Sequence, residues 1–218
     1  MRVSVSKLAA PGIIALLCAS VLSPCAPAFA EPSLYPTPGI ANAATYTFEA
    51  QVAGDVTAFF SGSFAADSEV LGLLVNGVSN GPLGLMNHGT AIGGKLNFGP
   101  VLAGSVLTFF INDQTTGKTW YSNPSLNADL MNHVYATPFL GGVVPGTGST
   151  TKLPAGIFIA FEDRGMPGSD RDYNDTSFVV TNVTTLAAPG PFAGAGLLPL
   201  IGLGAAWLAR RPSKRPTA

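Results

Sequence analysis

Apolar and polar residues alternate with a period of two through residues 45–60, and this pattern restricts the possible folds more than any other feature. Within Thr45–Val52 the aromatic and aliphatic residues fall on one face of an extended chain, and Thr, Glu and Gln fall on the other. The alternation resumes at Val56 after Ala53-Gly54, which predicts a hairpin around Gly54. Such a segment buries one face as a β-strand and does not form an amphipathic helix.

Further short runs are typical of strands. Val70–Val75 and Val106–Ile111 are apolar almost throughout, as expected of strands buried on both faces, and Ile157–Phe161 and Thr176–Val183 are predicted to form the last pair. Turn dipeptides separate these runs: Asn76-Gly77, Asn80-Gly81, Gly93-Gly94 and Gly141-Gly142. Short strands, frequent turns and one core predict an all-β fold. The expected architecture is an antiparallel β-sandwich, jelly-roll-like, with a closed barrel as the competing one.

The two ends of the chain have the character of membrane-addressing segments. Residues 1–30 contain a short basic region, an apolar stretch and Ala28-Phe29-Ala30, which together predict an N-terminal signal peptide. Residues 192–209 are uncharged and long enough for a C-terminal transmembrane helix. The basic tail at 210–218 predicts that the C-terminus stays in the cytoplasm.

An exported domain is predicted between these two segments. Residues 31–43 are rich in Pro and predict a flexible leader, residues 44–185 the β-sandwich domain, and residues 186–191, with Pro-Gly-Pro, a linker. Between residues 31 and 188, five Lys and Arg face twelve Asp and Glu, a net charge of −7, which argues against a nucleic-acid partner. Both cysteines precede residue 31, so the domain must be stabilised by its core, with a bound ion as further support.

The densest cluster of polar groups lies between the last two predicted strands. The candidate ligands of a Ca²⁺ cofactor there are Glu162, Asp163, Asp170, Asp172, Asn174 and Asp175. Crowded carboxylates repel one another unless a positive charge lies among them, and Ca²⁺ takes six to eight oxygen ligands. The loop is not an EF-hand, because Thr181 stands where the bidentate glutamate belongs. The alternative is a solvated loop whose acidic side chains pair with Arg164 and Arg171.

The same segment resembles the closing motif of a domain of unknown function that is frequent in exported bacterial proteins. In that motif a strand ending in Phe-Glu-Asp precedes a glycine-containing loop and Asp-x-Asp-Tyr-Asn-Asp, and residues 161–163 and 170–175 match it position for position. Residues 71–77, 120–122 and 133–135 also resemble that family. The resemblance implies a β-rich, calcium-associated domain without enzymatic activity.

The C-terminus resembles the PEP-CTERM sorting signal of Gram-negative bacteria. Pro189-Gly190-Pro191 precedes the apolar span, and Arg210-Arg211 follows it; Gly190 stands where the family has a central glutamate. This resemblance implies a transient partner, the membrane transpeptidase exosortase. It predicts a chain anchored in the inner membrane by its C-terminal helix before processing, and then located at the cell surface or outside the cell.

Other candidate residues have structural interpretations. His88 and His133 are expected to be hydrogen-bonded loop histidines, because the domain has no cysteine with which to complete a zinc site. Trp120 and Tyr121 are interpreted as core or edge-strand aromatics, with a sugar-stacking platform as the alternative. No nucleophile, base and acid form a recognisable set, so the chain is not predicted to be an enzyme.

These observations predict a non-catalytic, exported cell-surface or extracellular-matrix protein that Ca²⁺ stabilises and an exosortase-type signal sorts. Its partners would be the exosortase, the membrane and an extracellular polysaccharide. The competing hypothesis is a carbohydrate-binding module at the cell surface.

Overall fold

The computed structural model describes residues 34–188, which form thirteen β-strands and one 3₁₀ turn at Pro124–Leu126. The strands are β1 Thr45–Ala50, β2 Gly54–Ser63, β3 Glu69–Val75, β4 Val78–Ser79, β5 Lys95–Val101, β6 Val106–Asp113, β7 Thr119–Tyr121, β8 Val134–Phe139, β9 Gly142–Val143, β10 Lys152–Leu153, β11 Gly156–Phe161, β12 Thr176–Thr181 and β13 Val183–Ala188. The all-β prediction is confirmed. The predicted signal peptide, C-terminal helix and basic tail lie outside the described residues. Between residues 34 and 188 there is no helix of the length and apolarity that a membrane crossing requires.

The strands pair into two large antiparallel sheets and one small hairpin. The first sheet has the order β13-β1-β6-β3-β4, with β7 also paired to β6, and the second has the order β5-β2-β12-β11-β8. The hairpin joins β9 to β10. β11 and β12 pair from Ile157 opposite Val180 to Phe161 opposite Thr176, which confirms the predicted last pair.

The hairpin predicted around Gly54 is wrong. β1 pairs with β13 and β6 in the first sheet, whereas β2 pairs with β12 and β5 in the second. The chain therefore passes from one sheet to the other between Ala50 and Gly54. The Asn182 side chain holds this crossing, because it accepts from the Val52 amide at 3.0 Å and donates to the Val52 carbonyl at 3.0 Å. Alternation marks both strands correctly but does not encode their partners.

Side chains from both sheets form the main core. Members from the first sheet include Phe48, Leu71, Leu73, Leu107, Phe109 and Ile111, and members from the second include Val56, Phe60, Phe98, Ile159, Phe161 and Phe178. The runs Val70–Val75 and Val106–Ile111 are largely buried, as predicted. Because residues 34–188 contain no cysteine, burial of this apolar surface, at about 25 cal/mol per Å², is the main stabilising contribution within them.

The predicted strand Thr176–Val183 is divided in the structure. Asn182 adopts a left-handed backbone with φ of 62°, and the chain changes sheets there. β12 lies in the second sheet, whereas β13 pairs with β1 and runs to Ala188, opposite Thr45. The folded domain therefore extends beyond residue 185, the predicted boundary, into part of the predicted linker.

Residues 34–43 pack against the domain, in contrast to the flexible leader predicted for 31–43. The Tyr35 ring is buried and lies edge-on to Tyr135 and Tyr173, with ring centroids 5.2 and 4.6 Å away. The Asn42 side chain donates to the Val134 carbonyl at 2.9 Å, and the Asn42 amide donates to the Tyr173 hydroxyl at 2.8 Å. Pro-rich composition indicated the irregular backbone of this segment but not its aromatic anchor.

Candidate metal centre

The acidic loop joins β11 to β12. Antiparallel pairing places Phe161 opposite Thr176, so the two ends of the loop, Glu162–Asp163 and Asn174–Asp175, begin next to each other. The four residues at these ends are held near the core rather than in solvent: Glu162 is 0 % exposed, and Asp163 is 3 % exposed. Strand pairing therefore concentrates negative charge at one end of the domain.

Glu162 is the anchor of the loop. Its Oε1 accepts from the Tyr173 amide at 2.5 Å, and its Oε2 accepts from the Ser169 hydroxyl. Arg171 and Tyr173 have positive φ values of 62° and 53°, and these left-handed turns curl the chain around the carboxylate. Burial raises the pKa of Glu162, and the hydrogen bonds from Ser169 and Tyr173 oppose that rise.

Three of the six predicted ligands come together. Glu162, Asp170 and Asp172 each offer a carboxylate oxygen, and these three oxygens lie within 4.8 Å of one another. Ligands on opposite sides of a Ca²⁺ ion are separated by twice a bond length of about 2.3–2.6 Å, so oxygens this close fit around one ion. The remaining positions of the shell would be open to backbone carbonyls and water, because Asp170 is exposed and Asp172 half-buried.

Asn174 supports this group through a hydrogen bond. Its side-chain amide nitrogen donates to Asp172 Oδ2 at 2.6 Å, and its side chain is buried. In this arrangement Asn174 orients the carboxylate of Asp172, whereas the sequence predicts that it binds the ion directly. Its place among the direct ligands stays a prediction.

Asp163 and Asp175 form a second pair beside the three. The Asp163 amide donates to Asp175 Oδ2 at 2.8 Å. Burial and the nearby Asp163 carboxylate raise the pKa of Asp175 to about 8, with smaller contributions from Glu162 and Asp170. A polar cavity of about 180 Å³ is lined by Glu162, Asp163, Asp170 and Asp175, so the two groups share one opening.

Arginine neutralises only part of this charge. Arg164 Nη2 lies 3.5 Å from Asp67 Oδ2, and Arg164 Nε lies 3.7 Å from Asp163 Oδ1. The Arg164 side chain is 59 % exposed, so solvent weakens both ion pairs. Arg171 donates to the Met166 carbonyl at 3.4 Å. The ion pairs expected of an ordinary solvated loop are therefore partly present, at its outer surface.

A row of contacts behind the loop fixes its position. Asp129 Oδ2 accepts from the Met166 amide at 3.1 Å and lies 3.0 Å from Nε2 of the buried His133. The His133 ring stacks on Trp120 with centroids 4.0 Å apart. Burial alone would raise the pKa of Asp129, but hydrogen bonds from the amides of Met131 and Met166 and from His133 lower it.

The histidine and tryptophan interpretations fit these contacts. His133 is buried with hydrogen-bond partners, and the exposed His88 places Nε2 2.9 Å from the Asp67 carbonyl, so both are hydrogen-bonded loop residues as expected. Trp120 is 3 % exposed and belongs to the core. It is not an exposed sugar platform, and Tyr121, half-buried on β7, contacts Phe110.

Sequence reasoning missed Glu69. It is the first residue of β3, it is 1 % exposed, and its carboxylate faces the acidic end of the domain. Burial and the neighbouring Asp163 raise its pKa to about 10. Its only signal in the sequence is an acidic residue directly before an apolar run, which is also usual for an exposed strand end.

Three comparisons with known proteins were made for this chain. A scan against protein-family models, a search of curated proteins and a search of solved structures each found no match for this chain.

Proposed function

We propose that this chain is a non-catalytic, exported cell-surface or extracellular-matrix protein whose 162–175 loop binds Ca²⁺. The observation that carries the proposal is the convergence of oxygens from Glu162, Asp170 and Asp172 to within 4.8 Å. The ion would supply the positive charge that these carboxylates lack, and it would close the loop between β11 and β12. Two antiparallel sheets around a shared core support a jelly-roll-like β-sandwich as the scaffold.

Export and sorting are parts of the same proposal that rest on the sequence alone. The signal-peptide pattern of residues 1–30 and the tripartite C-terminus support secretion and recognition by an exosortase-type transpeptidase. A matrix role suits a domain that depends on its core and an ion instead of disulfides. The carbohydrate-binding alternative has less support, because Trp120, one of the two aromatic residues of its proposed platform, is buried.

Thermal unfolding of the purified full-length chain tests the calcium proposal. Ca²⁺ at a hundred times its dissociation constant should stabilise the folded state by about 2.7 kcal/mol and raise Tm. Asp172→Asn should reduce that shift because it replaces a charged ligand with a neutral amide of the same shape. Asp55→Asn is the matched control, since Asp55 is exposed at the far end of β2. A melting curve that excess Ca²⁺ leaves unchanged would contradict the proposal.

A further inference from the structure

The loop that joins β7 to β8, residues 122–133, turns polar side chains inward and apolar ones outward; we call it the apolar loop. Asn127 is 2 % exposed, and its side chain bonds to the amide and carbonyl of Tyr121 and to the Met131 carbonyl, at 2.7 to 3.0 Å. Leu126, Leu130 and Met131, in contrast, are exposed to solvent. A loop that only connects two strands in water favours the opposite arrangement, because exposed apolar surface costs free energy.

Leu130 is the most exposed of these three residues, at 70 %, and its backbone is left-handed with φ of 56°. This conformation suits Gly or Asn and is rare for a bulky side chain. Leu85 has a similar φ of 55°, but its side chain is buried in the main core, which explains a leucine there. The Leu130 side chain has no comparable burial within residues 34–188. Its exposure and its strained backbone therefore point to a contact outside the described domain.

The single charged residue of the apolar loop is held against the domain. Asp129 Oδ2 accepts from the Met166 amide at 3.1 Å and lies 3.0 Å from His133 Nε2. The Asp129 side chain is 23 % exposed, and the other residues of the loop are uncharged except for His133, which is buried. The outward surface of the loop is therefore mainly uncharged, as an apolar contact requires.

The apolar loop lies at the end of the domain where β13 ends. The Asn132 side chain donates to the Ala44 carbonyl at 2.7 Å, and the next residue, Thr45, pairs with Ala188, the last residue of β13. A cavity of about 330 Å³ lies between the start of β1 and residues 122–125. Because paired strands are about 5 Å apart, Ala188 and the apolar loop belong to the same end of the domain.

The predicted transmembrane segment begins shortly after this end. Three residues, 189–191, separate Ala188 from the apolar span 192–209. An extended chain advances at most about 3.6 Å per residue, so the four steps from Ala188 to Phe192 cover at most about 14 Å. A span that crosses the membrane therefore holds this end of the domain beside the bilayer, which becomes the nearest large apolar phase for the apolar loop.

We propose that the apolar loop docks on the bilayer that residues 192–209 cross, with Leu126, Leu130 and Met131 at the boundary between headgroups and acyl chains. The inference rests on the membrane anchor of the proposed function and does not depend on its Ca²⁺ site. Apolar side chains gain free energy when they leave water for this boundary. Because residues 31–188 carry a net charge of −7, a zwitterionic lipid surface is the preferred partner.

Quenching of a fluorescent label by lipid tests the docking. The full-length chain, with Cys18→Ser and Cys25→Ser as background, is labelled with bimane at Leu130→Cys or Met131→Cys and reconstituted in phosphatidylcholine vesicles. Brominated acyl chains should quench both labels. Leu140→Cys is the matched control: Leu140 is 94 % exposed but follows the opposite end of β8, so its label should keep its fluorescence. Circular dichroism confirms that each variant is folded.

Anchoring is measured on the same vesicles, so failure of the span and failure of the docking are distinguishable. Alkaline carbonate should leave the full-length chain in the membrane and release a variant that ends at residue 191. Release of both chains, or retention of both, would overturn the span and the docking with it. If only the full-length chain is retained, but its labels at positions 130 and 131 are quenched no more than the label at 140, the docking is overturned and the span stands. Labels that are shielded from water but not quenched by lipid would show that protein covers the loop, which also overturns the docking.

Discussion

At the scale of single residues, burial and hydrogen bonding separate three carboxylates that look alike in the sequence. Glu162 and Asp113 are buried with donors that the neighbouring loop supplies. Glu69 is buried without any donor in the described part of the chain. Because the cost of burying a charge depends on its partners, these three residues differ in what their removal does to the protein.

Asp113→Ala should destabilise the domain by about 1–3 kcal/mol, because the amides of Thr115 and Thr116 lose their acceptor. Urea denaturation at pH 5 measures this free energy of unfolding. At pH 5 the Glu69 carboxyl, whose pKa is raised to about 10, is protonated and uncharged. Removing the Asp113 carboxylate therefore relieves no repulsion with Glu69 that could offset the lost hydrogen bonds. Asp55→Ala is the exposed control; it loses one solvent-exposed hydrogen bond, from the Asn97 side-chain amide, and should cost less than Asp113→Ala. Equal effects of the two substitutions would contradict this account.

At the scale of elements, the close pairing of β11 with β12 positions the acidic loop. Gly156 opens β11, and a Cβ atom at this position would lie 2.2 Å from the Val180 carbonyl oxygen. The backbone of β12 approaches so closely that only glycine fits there. A shift of β11 at this end would be transmitted along the strand toward Glu162, which directly follows it.

Gly156→Ala should therefore cost about 1–3 kcal/mol, because either β11 or β12 must move to make room for the methyl group. Chemical denaturation gives the stability, and a Ca²⁺ titration should show weaker binding in the same variant. Gly89→Ala is the matched control, since a Cβ there would meet nothing within 4 Å. If the stability of Gly156→Ala were unchanged, the backbones of β11 and β12 could move apart at Gly156 without cost, which would contradict this account.

At the scale of the whole molecule, the two sheets meet at an end where negative charge is concentrated. Glu69 comes from the first sheet, and the Asp163–Asp175 pair comes from loop ends of the second. Burial and mutual repulsion raise the pKa of Glu69 to about 10 and that of Asp175 to about 8. The folded protein without metal therefore holds protons that the unfolded chain has already released at neutral pH.

The stability of the metal-free protein should fall as the pH rises. A carboxyl group whose pKa is raised by folding contributes fully below its unfolded pKa, near 4, and loses that contribution as the pH approaches its folded pKa. In the presence of a chelator we expect a loss of about 1–2 kcal/mol or more between pH 5 and pH 8. Asp129, whose pKa is lowered, acts in the opposite direction but only under more acidic conditions.

Urea denaturation at a series of pH values measures this dependence. Glu69→Gln should flatten the profile, because the neutral amide has no proton to lose, and saturating Ca²⁺ should reduce the slope, because the positive charge of a nearby ion lowers the pKa of the neighbouring carboxyl groups. A metal-free profile that rises from pH 5 to pH 8 would contradict the raised pKa values.

Local sequence determined the strands and the composition of the acidic loop, because period-two alternation and turn dipeptides record which residues are buried and where the chain bends. It placed all six proposed ligands in one short segment, whereas the structure selects three of them, Glu162, Asp170 and Asp172, by bringing their oxygens together. It did not determine that β1 pairs with β13 rather than with β2, since alternation carries no information about partners. Only the tertiary structure brought Glu69 to Asp163, because residues so far apart in the sequence become neighbours through the pairing and packing of whole sheets.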